Sequence, residues 1–279
     1  MPNLVYLNSK YIPFKDAKIP IEDRGFQFSD SVYEVVKIIN TKMLDFDFHM
    51  RRLKYSTSEL NFNFKVNSKL FKKIFQNLII KNKLSNGIIY LQITRGVQSR
   101  EHAYKKNLKP NVVVYTAKKK FNLPNKNYKG FKAITYPDIR WGRPDIKTTS
   151  LLANIIAATE ASKKGAYETI LVKGKKITEA AHSNVWIVKG NKIITHPANK
   201  EILKGVTRTV LINIIKSLGF KLIEKEFSLK ELYKSDEVFI TSSGSLVTPI
   251  TQIDNIKINN KKIGKITKAL ALSFYKSII

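Results

Sequence analysis

The sequence predicts a mixed α/β fold, α+β in character, built as two halves. Three observations carry this reading. Short β-branched runs are interleaved along the chain with longer stretches whose apolar residues recur at helical spacing. One segment, Lys118 to Gly130 (KKKFNLPNKNYKG), holds Pro, Gly and several Asn with little periodicity, and it separates two such series. The chain has 279 residues and 43% hydrophobic content, enough for each half to bury a core. The expected division is therefore 1–118, a linker over 119–130, and 131–279.

In order, Leu4 to Leu7 and Tyr11 to Phe14 flank the turn residues Asn8 and Ser9 and predict a hairpin. Val32 to Ile39 is β-branched and runs through Asn40-Thr41-Lys42 into Met43-Leu44, a second hairpin. Phe46, Met50, Leu53 and Leu60 recur at helical intervals, and Leu70, Phe71, Ile74, Phe75, Leu78 and Ile79 form a wide apolar stripe ending near Asn86-Gly87. Strands follow at Ile88 to Thr94 and Val112 to Thr116. Beyond the linker, Phe131 to Tyr136 reads as a strand, and Leu151, Leu152, Ile155, Ile156 and Thr159 share a helical face that stops at Lys163-Lys164-Gly165. Strands at Thr169 to Val172, Val185 to Val188 and Ile193 to Thr195 suggest an antiparallel meander. A helix from about Thr207 to Leu218, the capping box Ser228-Leu229-Lys230-Glu231, a buried strand at Val238 to Thr241 and a last helix near Ile263 to Tyr275 complete the series.

Lysine and arginine number 50 against 21 acidic residues, a formal charge of +29, which raises the question of nucleic acid or an anionic membrane. The basic residues are spread along the chain and mostly lysine, beside abundant Asn and Ile, so the excess reads as a compositional bias with no specific nucleic-acid partner. The absence of cysteine excludes disulfides, thiolate metal sites and cysteine nucleophiles. The histidines, His49, His102, His182 and His196, show no metal-ligand spacing among themselves, so no metal is expected. The start, MPNLVYLNSK, has no apolar signal core, and no apolar run is long enough to span a bilayer; a soluble cytoplasmic protein is expected.

The chemistry centres on DIKTTSLL. Thr148, Thr149 and Ser150 are good N-cap types, so Lys147 is expected at or just before a helix N-terminus, where the helix disfavours its charge. An unperturbed lysine, with a pKa of about 10.4, is less than about a thousandth neutral at pH 7. Lowering that value to roughly 7 to 8 would take about 3 to 5 kcal/mol and would yield an amine nucleophile. Local sequence leaves open whether Lys147 is that nucleophile or a solvated lysine. Lys204-Gly205-Val206-Thr207-Arg208 places glycine and threonine where a helix begins, and Ile240-Thr241-Ser242-Ser243-Gly244-Ser245 ends a strand in a hydroxyl-rich turn; either could offer donors to a phosphate or be ordinary turn chemistry. Arg52 reads as a helix-surface residue, Tyr33 as a site or core residue, Arg100 with His102 as a basic loop, and Glu179 as a strand-end carboxylate. If Glu179 faced a heterocyclic nitrogen, it would hold that nitrogen protonated and tune an electron-sink cofactor. His182 stays ambiguous.

Taken together, these segments resemble the fold-type IV family of pyridoxal-phosphate aminotransferases, in its D-amino-acid-selective branch. The resemblance runs in order through Glu22-Asp23-Arg24-Gly25, Asp30 to Lys37, His49 to Leu53, Thr94-Arg95-Gly96 with Arg100-Glu101-His102, Asp138-Ile139-Arg140-Trp141, Asp145-Ile146-Lys147, Thr178-Glu179 with Ser183-Asn184, Thr195 to Asn199, Leu203 to Arg208 and Phe239 to Ser242. It implies that Lys147 is the Schiff-base lysine and Glu179 the partner of the pyridine nitrogen. Arg52, Val206, Thr207 and Ser243 match the phosphate cup, and Leu203 the residue behind the ring. Tyr33, Arg100 and His102 match a trap for the substrate α-carboxylate, with the arginine and histidine reaching in from the neighbouring subunit of a homodimer. Two donors fix a carboxylate more sharply than one cation, which suits that role.

The resemblance thus implies ping-pong transamination of D-amino acids, D-alanine or D-glutamate, with a 2-oxo acid acceptor. Branched-chain L-aminotransferases and aminodeoxychorismate lyase share the fold and are the alternatives; a basic nucleic-acid-binding protein is the non-enzyme alternative. Two departures stand out. Ala181 and His182 occupy positions where close relatives carry serines beside the cofactor, so His182 could narrow the pocket or donate to the substrate. Ser243-Gly244 replaces a threonine pair near the phosphate.

Overall fold

A computed structural model describes residues 3–121, 124 and 128–278. They cluster into two compact units, Met1–Lys120 with Ile146–Ser150, and Phe121–Asp145 with Leu151–Ile279. The change of unit after Lys120 falls within the segment expected as a linker, of which positions 122, 123 and 125–127 lie outside the described residues.

The first unit holds β1 (Leu4–Leu7), β2 (Lys10–Pro13), α1 (Arg24–Phe28), β3 (Ser31–Ile39), β4 (Lys42–Met43), α2 (Phe46–Glu59), α3 (Ser68–Lys81), β5 (Gly87–Thr94) and β6 (Val112–Lys118). Its six-stranded sheet runs β2-β1-β6-β5-β3-β4. The α3 stripe forms from Phe71 on, with Phe71, Ile74, Phe75 and Leu78 buried together with Val36, Ile38, Ile89 and Leu91 of the sheet, whereas Leu70, expected in the stripe, is exposed. Asn67 opens that helix, its side chain accepting from Leu70 N–H at 3.0 Å. Phe75 meets Phe46 of α2 edge to face at 5.7 Å, so truncating it to alanine would cost about 3–5 kcal/mol.

Residues 146–150 belong to this unit, although the division at 131 assigned them to the second half. The reason is backbone pairing with the edge of β3. Thr148 bridges Val32, Tyr33 N–H donates to Lys147 O at 3.0 Å, and Thr149 N–H donates to Ser31 O at 3.2 Å.

The second unit holds β7 (Phe131–Pro137), α4 (Leu152–Lys163), β8 (Glu168–Lys173), β9 (Lys176–Ala180), β10 (Asn184–Lys189), β11 (Lys192–Thr195), α5 (Val206–Ser217), β12 (Lys221–Glu224), β13 (Phe227–Ser228), α6 (Leu229–Tyr233), β14 (Glu237–Ser242), β15 (Leu246–Ile253), β16 (Ile256–Lys257) and α7 (Lys265–Lys276). Its sheet runs β12-β11-β10-β14-β15-β7-β8-β9-β13, with β16 on β15. This corrects the expected meander: β10 and β11 form a hairpin, but β8 pairs with β7 and β9, well away from β10 in the sheet. The β-rich second unit nevertheless brings β9 and β10 together at one end, where Asn184 donates to Glu179 at 3.0 Å, so the sheet curls. The capping box at Ser228 and Glu231 is present as expected. Among the described residues no helix is long and apolar enough to cross a membrane.

Candidate active site

The first unit carries Lys147, Tyr33, Arg52, Arg100 and His102. Lys147 does not open a helix: α4 starts at Leu152, behind an N-cap at Leu151 that makes no side-chain bond. Of the hydroxyls that resembled caps, Thr148 Oγ1 accepts from Ser150 N–H at 3.3 Å, while that of Thr149 turns to the start of β3. Thr149 Oγ1 donates to Ser29 O at 3.1 Å and pairs with the Ser31 hydroxyl. Lys147 therefore sits on an extended segment, its N–H donating to Ser56 Oγ at 3.2 Å and its ammonium 4.2 Å from the centre of the Tyr33 ring. Among the described residues no carboxylate pairs with that ammonium. Tyr33 in turn stacks on Tyr90, centroids 5.7 Å apart, which fixes the face offered to the lysine.

Arg52 departs from its default reading as a helix-surface residue. Its side chain is 9% exposed and forks onto Glu34, Nε to Oε1 and Nη2 to Oε2, both at 2.8 Å. His49 reaches the same carboxylate at 2.7 Å. Burial pushes Glu34 up, but Arg52 and His49 outweigh it and hold the carboxyl at about 2. Burial in turn lowers His49, against the pull of Glu34. The effect is a guanidinium held in one orientation.

Arg100 and His102 lie exposed on the connection from β5 to β6. Arg24 anchors that loop, donating to Glu101 O at 2.7 Å and His102 O at 2.9 Å, while the Phe28 ring lies against His102 and under the Arg100 guanidinium. Neither residue bonds to Tyr33 or Lys147 within the chain.

The second unit carries Glu179, His182, Leu203, Val206, Thr207 and Ser243. Glu179 is buried on β9, and its partners gather the rest. Oε1 accepts from Leu203 N–H at 3.1 Å and pairs closely with Arg140; Oε2 accepts from Asn184 Nδ2 at 3.0 Å, which also donates to Leu203 O at 2.9 Å. Burial pushes the carboxyl up to about 7, against the pull of Arg140 and the Leu203 N–H.

Val206 and Thr207 occupy the first turn of α5, whose N-cap is Gly205. The leading N–H groups of a helix lack internal partners and face an anion favourably. A Cβ on Gly205 would lie 2.1 Å from Asn184 Oδ1, so only glycine lets the helix start come this close to the residue holding Glu179. Ser243 sits in the turn from β14 to β15, tightened by the Ser242 and Ser245 hydroxyls at 2.7 Å. Because Asn184 pairs with Thr241 in register, that turn lies at the same sheet end.

Asp138 and Arg140 lie in one of the ordered sequence motifs but have no role assigned by it. Arg140 donates to Asp138 Oδ1 at 2.9 Å and Oδ2 at 2.7 Å, and pairs with Glu179. Burial opposes its charge, but the two carboxylates raise its pKa further. Asp138 is pushed up by burial and held lower still by Arg140 and the Thr178 hydroxyl. The signal available was the acidic-basic pair two residues apart; its partner lies 39 residues on. The fold also gathers His196, Glu201 and Glu226, whose ligand atoms lie within 4.8 Å of one another, but Lys173 and Lys176 already pair with the two glutamates.

The first unit thus holds a half-buried lysine with no carboxylate partner among the described residues, and the second a buried carboxylate raised to about 7 beside a glycine-opened helix start. The sequence pattern of amino-transferase class IV matches residues 31–253. A D-alanine aminotransferase of Listeria innocua is 36% identical over 99% of this chain and 96% of its own length, and one of Bacillus licheniformis is 36% identical over 99% and 97%. The branched-chain amino acid aminotransferase of Thermobaculum terrenum in its PLP-form superposes with a TM-score of 0.89 at 21% identity, covering 99% of this chain and 94% of that one, a likeness of fold. The chain belongs to the class IV amino-transferases. It is a pyridoxal-phosphate-dependent aminotransferase.

Proposed function

We propose that this enzyme transfers the amino group of D-amino acids, D-alanine or D-glutamate, to a 2-oxo acid by a ping-pong route. The observation that carries it is the full-length likeness to D-alanine aminotransferases, in a chain that carries Tyr33, Arg100 and His102. Bound pyridoxal phosphate supplies the carbonyl carbon that takes the amino group and the ring that accepts the electron pair released at Cα.

The chain's own residues do the rest. Lys147 Nζ would hold the cofactor, and its amine would take the proton from the substrate Cα. The Tyr33 ring confines that amine to one side. Glu179, whose carboxyl burial raises to about 7 against the pull of Arg140, would in its ionised form hold a proton at the ring nitrogen. Arg52 and the first turn of α5, Val206 and Thr207, would hold the phosphate, with Ser243 adding a hydroxyl, and Leu203 would support the ring. Arg100 and His102 of the partner subunit of a homodimer, with Tyr33, fix the α-carboxylate and thereby the hand of the substrate. The cytoplasmic setting expected from the sequence stays part of this reading, with no nucleic-acid partner.

Initial rates with D-alanine, L-leucine and aminodeoxychorismate, side by side, test it. Turnover of D-alanine with 2-oxo acid dependence is expected. Activity with L-leucine or aminodeoxychorismate alone would replace this reading by one of the alternatives.

A further inference from the structure

His196 follows β11, and its imidazole is buried, 2% exposed. Nδ1 lies 2.9 Å from Pro197 O. A carbonyl oxygen only accepts, so Nδ1 carries a ring proton and donates it there, and Nε2 is the nitrogen left for another partner. Nε2 faces Glu201 Oε2 at 3.6 Å, beyond hydrogen-bond length, and Glu226 completes the group: one ligand atom from each residue, all within 4.8 Å of one another. An imidazole lone pair and two carboxylates converging this closely repel unless a cation lies among them, either a proton or a metal ion.

The fold fixes the backbone at all three positions. Arg208 Nη2 donates to His196 O at 2.8 Å, Glu201 N–H donates to Asn199 Oδ1 at 2.9 Å, and Lys225 N–H donates to Thr195 O at 3.0 Å, which sets Glu226 beside His196. The two lysines do not close the group. Lys173 pairs with Glu201 through Oε1 at 2.9 Å and leaves Oε2 to the cluster, and Lys176 pairs with Oε2 of Glu226. Their side chains are 63% and 62% exposed, so solvent screens both pairs and they hold the carboxylates weakly.

We propose that His196, Glu201 and Glu226 bind one Zn²⁺ ion, with water completing its coordination. One imidazole nitrogen with two carboxylate oxygens is a zinc donor set, whereas Mg²⁺ and Ca²⁺ take oxygen ligands. Zinc bonds of about 2.0–2.2 Å put neighbouring tetrahedral ligands roughly 3.3–3.6 Å apart. The His196–Glu201 spacing of 3.6 Å already meets that value, and Glu226, 39% exposed, closes the remaining gap by rotating its own side chain. Donation from the other ring nitrogen to a backbone carbonyl is how a zinc-bound imidazole is held in orientation, and His196 Nδ1 makes that bond to Pro197. The ion ties the end of β11 to the link between β12 and β13 and to the segment leading into α5, whose Leu203 N–H donates to Glu179. Its ligands are independent of which amino acid the enzyme takes.

The test titrates the holoenzyme with Zn²⁺ in competition with a chromogenic chelator, in excess Mg²⁺, for the wild type, Glu201→Gln and Glu226→Gln. Both glutamates are partly exposed, so these variants keep the core intact. The wild type is expected to bind one Zn²⁺ per chain that Mg²⁺ does not displace. Loss of even an outer contact to a metal site costs about 10–100-fold in affinity, so each glutamine variant should bind at least about tenfold more weakly. His196→Gln should abolish the site. Equal affinity in the wild type and both glutamine variants would place the ion elsewhere and overturn the assignment. A wild type that binds no Zn²⁺ would show that a proton fills the cluster and would overturn it as well.

Discussion

Replacing Arg140 by methionine removes one cation from between two buried carboxylates. The side chains of Arg140, Asp138 and Glu179 are 6%, 7% and 6% exposed, so solvent cannot take over the role of counter-ion. Methionine keeps most of the stem's packing and removes the charge. Breaking a buried pair in this way costs roughly 3–5 kcal/mol. The pH dependence follows from the two carboxyls. Glu179 sits at about 7 in the folded chain against an ordinary 4.5, so folding already takes up a proton between those values and stability falls as pH rises through that window. Asp138 is held below its ordinary value by Arg140 and contributes stability that is lost on acidification. Without Arg140 both carboxyls rise, and the variant's penalty grows with pH. Urea unfolding of the apoenzyme at about pH 8 and about pH 5 should show the full loss at the higher pH and a clearly smaller one at the lower. The double variant Arg140→Met/Glu179→Gln should lose less than Arg140→Met, since one orphaned charge is gone. A loss below about 1 kcal/mol at the higher pH, or one equal at both, would refute the reasoning.

Lys147→Ala should lower kcat by at least about a hundredfold and abolish the borohydride-reducible link to the cofactor, seen by mass spectrometry; a retained link would show that another lysine carries it. Arg52→Ala leaves Glu34 buried with His49 alone. It should destabilise the apoenzyme by roughly 3–5 kcal/mol at neutral pH and weaken cofactor affinity. Since Glu34 sits at about 2, below its ordinary 4.5, the wild type gains from it above 4.5 and loses that gain as pH falls through about 2, so the two proteins should converge in acid. Gly205→Ala pushes a Cβ against Asn184 and should cost about 1–3 kcal/mol and raise the cofactor dissociation constant, measured by absorbance titration.

Much of the scaffold was legible because it is local. The α3 stripe, the β1–β2 and β3–β4 hairpins and the capping box at Ser228 each rest on residues a few positions apart. The β15 strand was missed because Pro249 interrupts its run, and the order of the second sheet because its parallel pairing of β15 with β7 joins distant segments. At Lys147 the hydroxyl triplet carried two meanings locally, helix cap or strand-edge partner, and only the pairing with β3 chose between them. The roles proposed for Lys147, Glu179 and the α5 start rest on the ordered family motifs. The place of Arg140 was not legible, since its partner Glu179 lies 39 residues on and only the fold brings the two together.

The central claim is that these residues deliver a D-amino acid to a pyridoxal phosphate held by Lys147 and Glu179. A single-turnover experiment tests it most directly: the visible absorbance of the reconstituted holoenzyme, followed after adding D-alanine or L-alanine without an oxo acid. The account predicts that D-alanine converts the bound cofactor to its aminated form with stoichiometric pyruvate, while L-alanine leaves the spectrum unchanged. Conversion by L-alanine alone, or by neither, would contradict it.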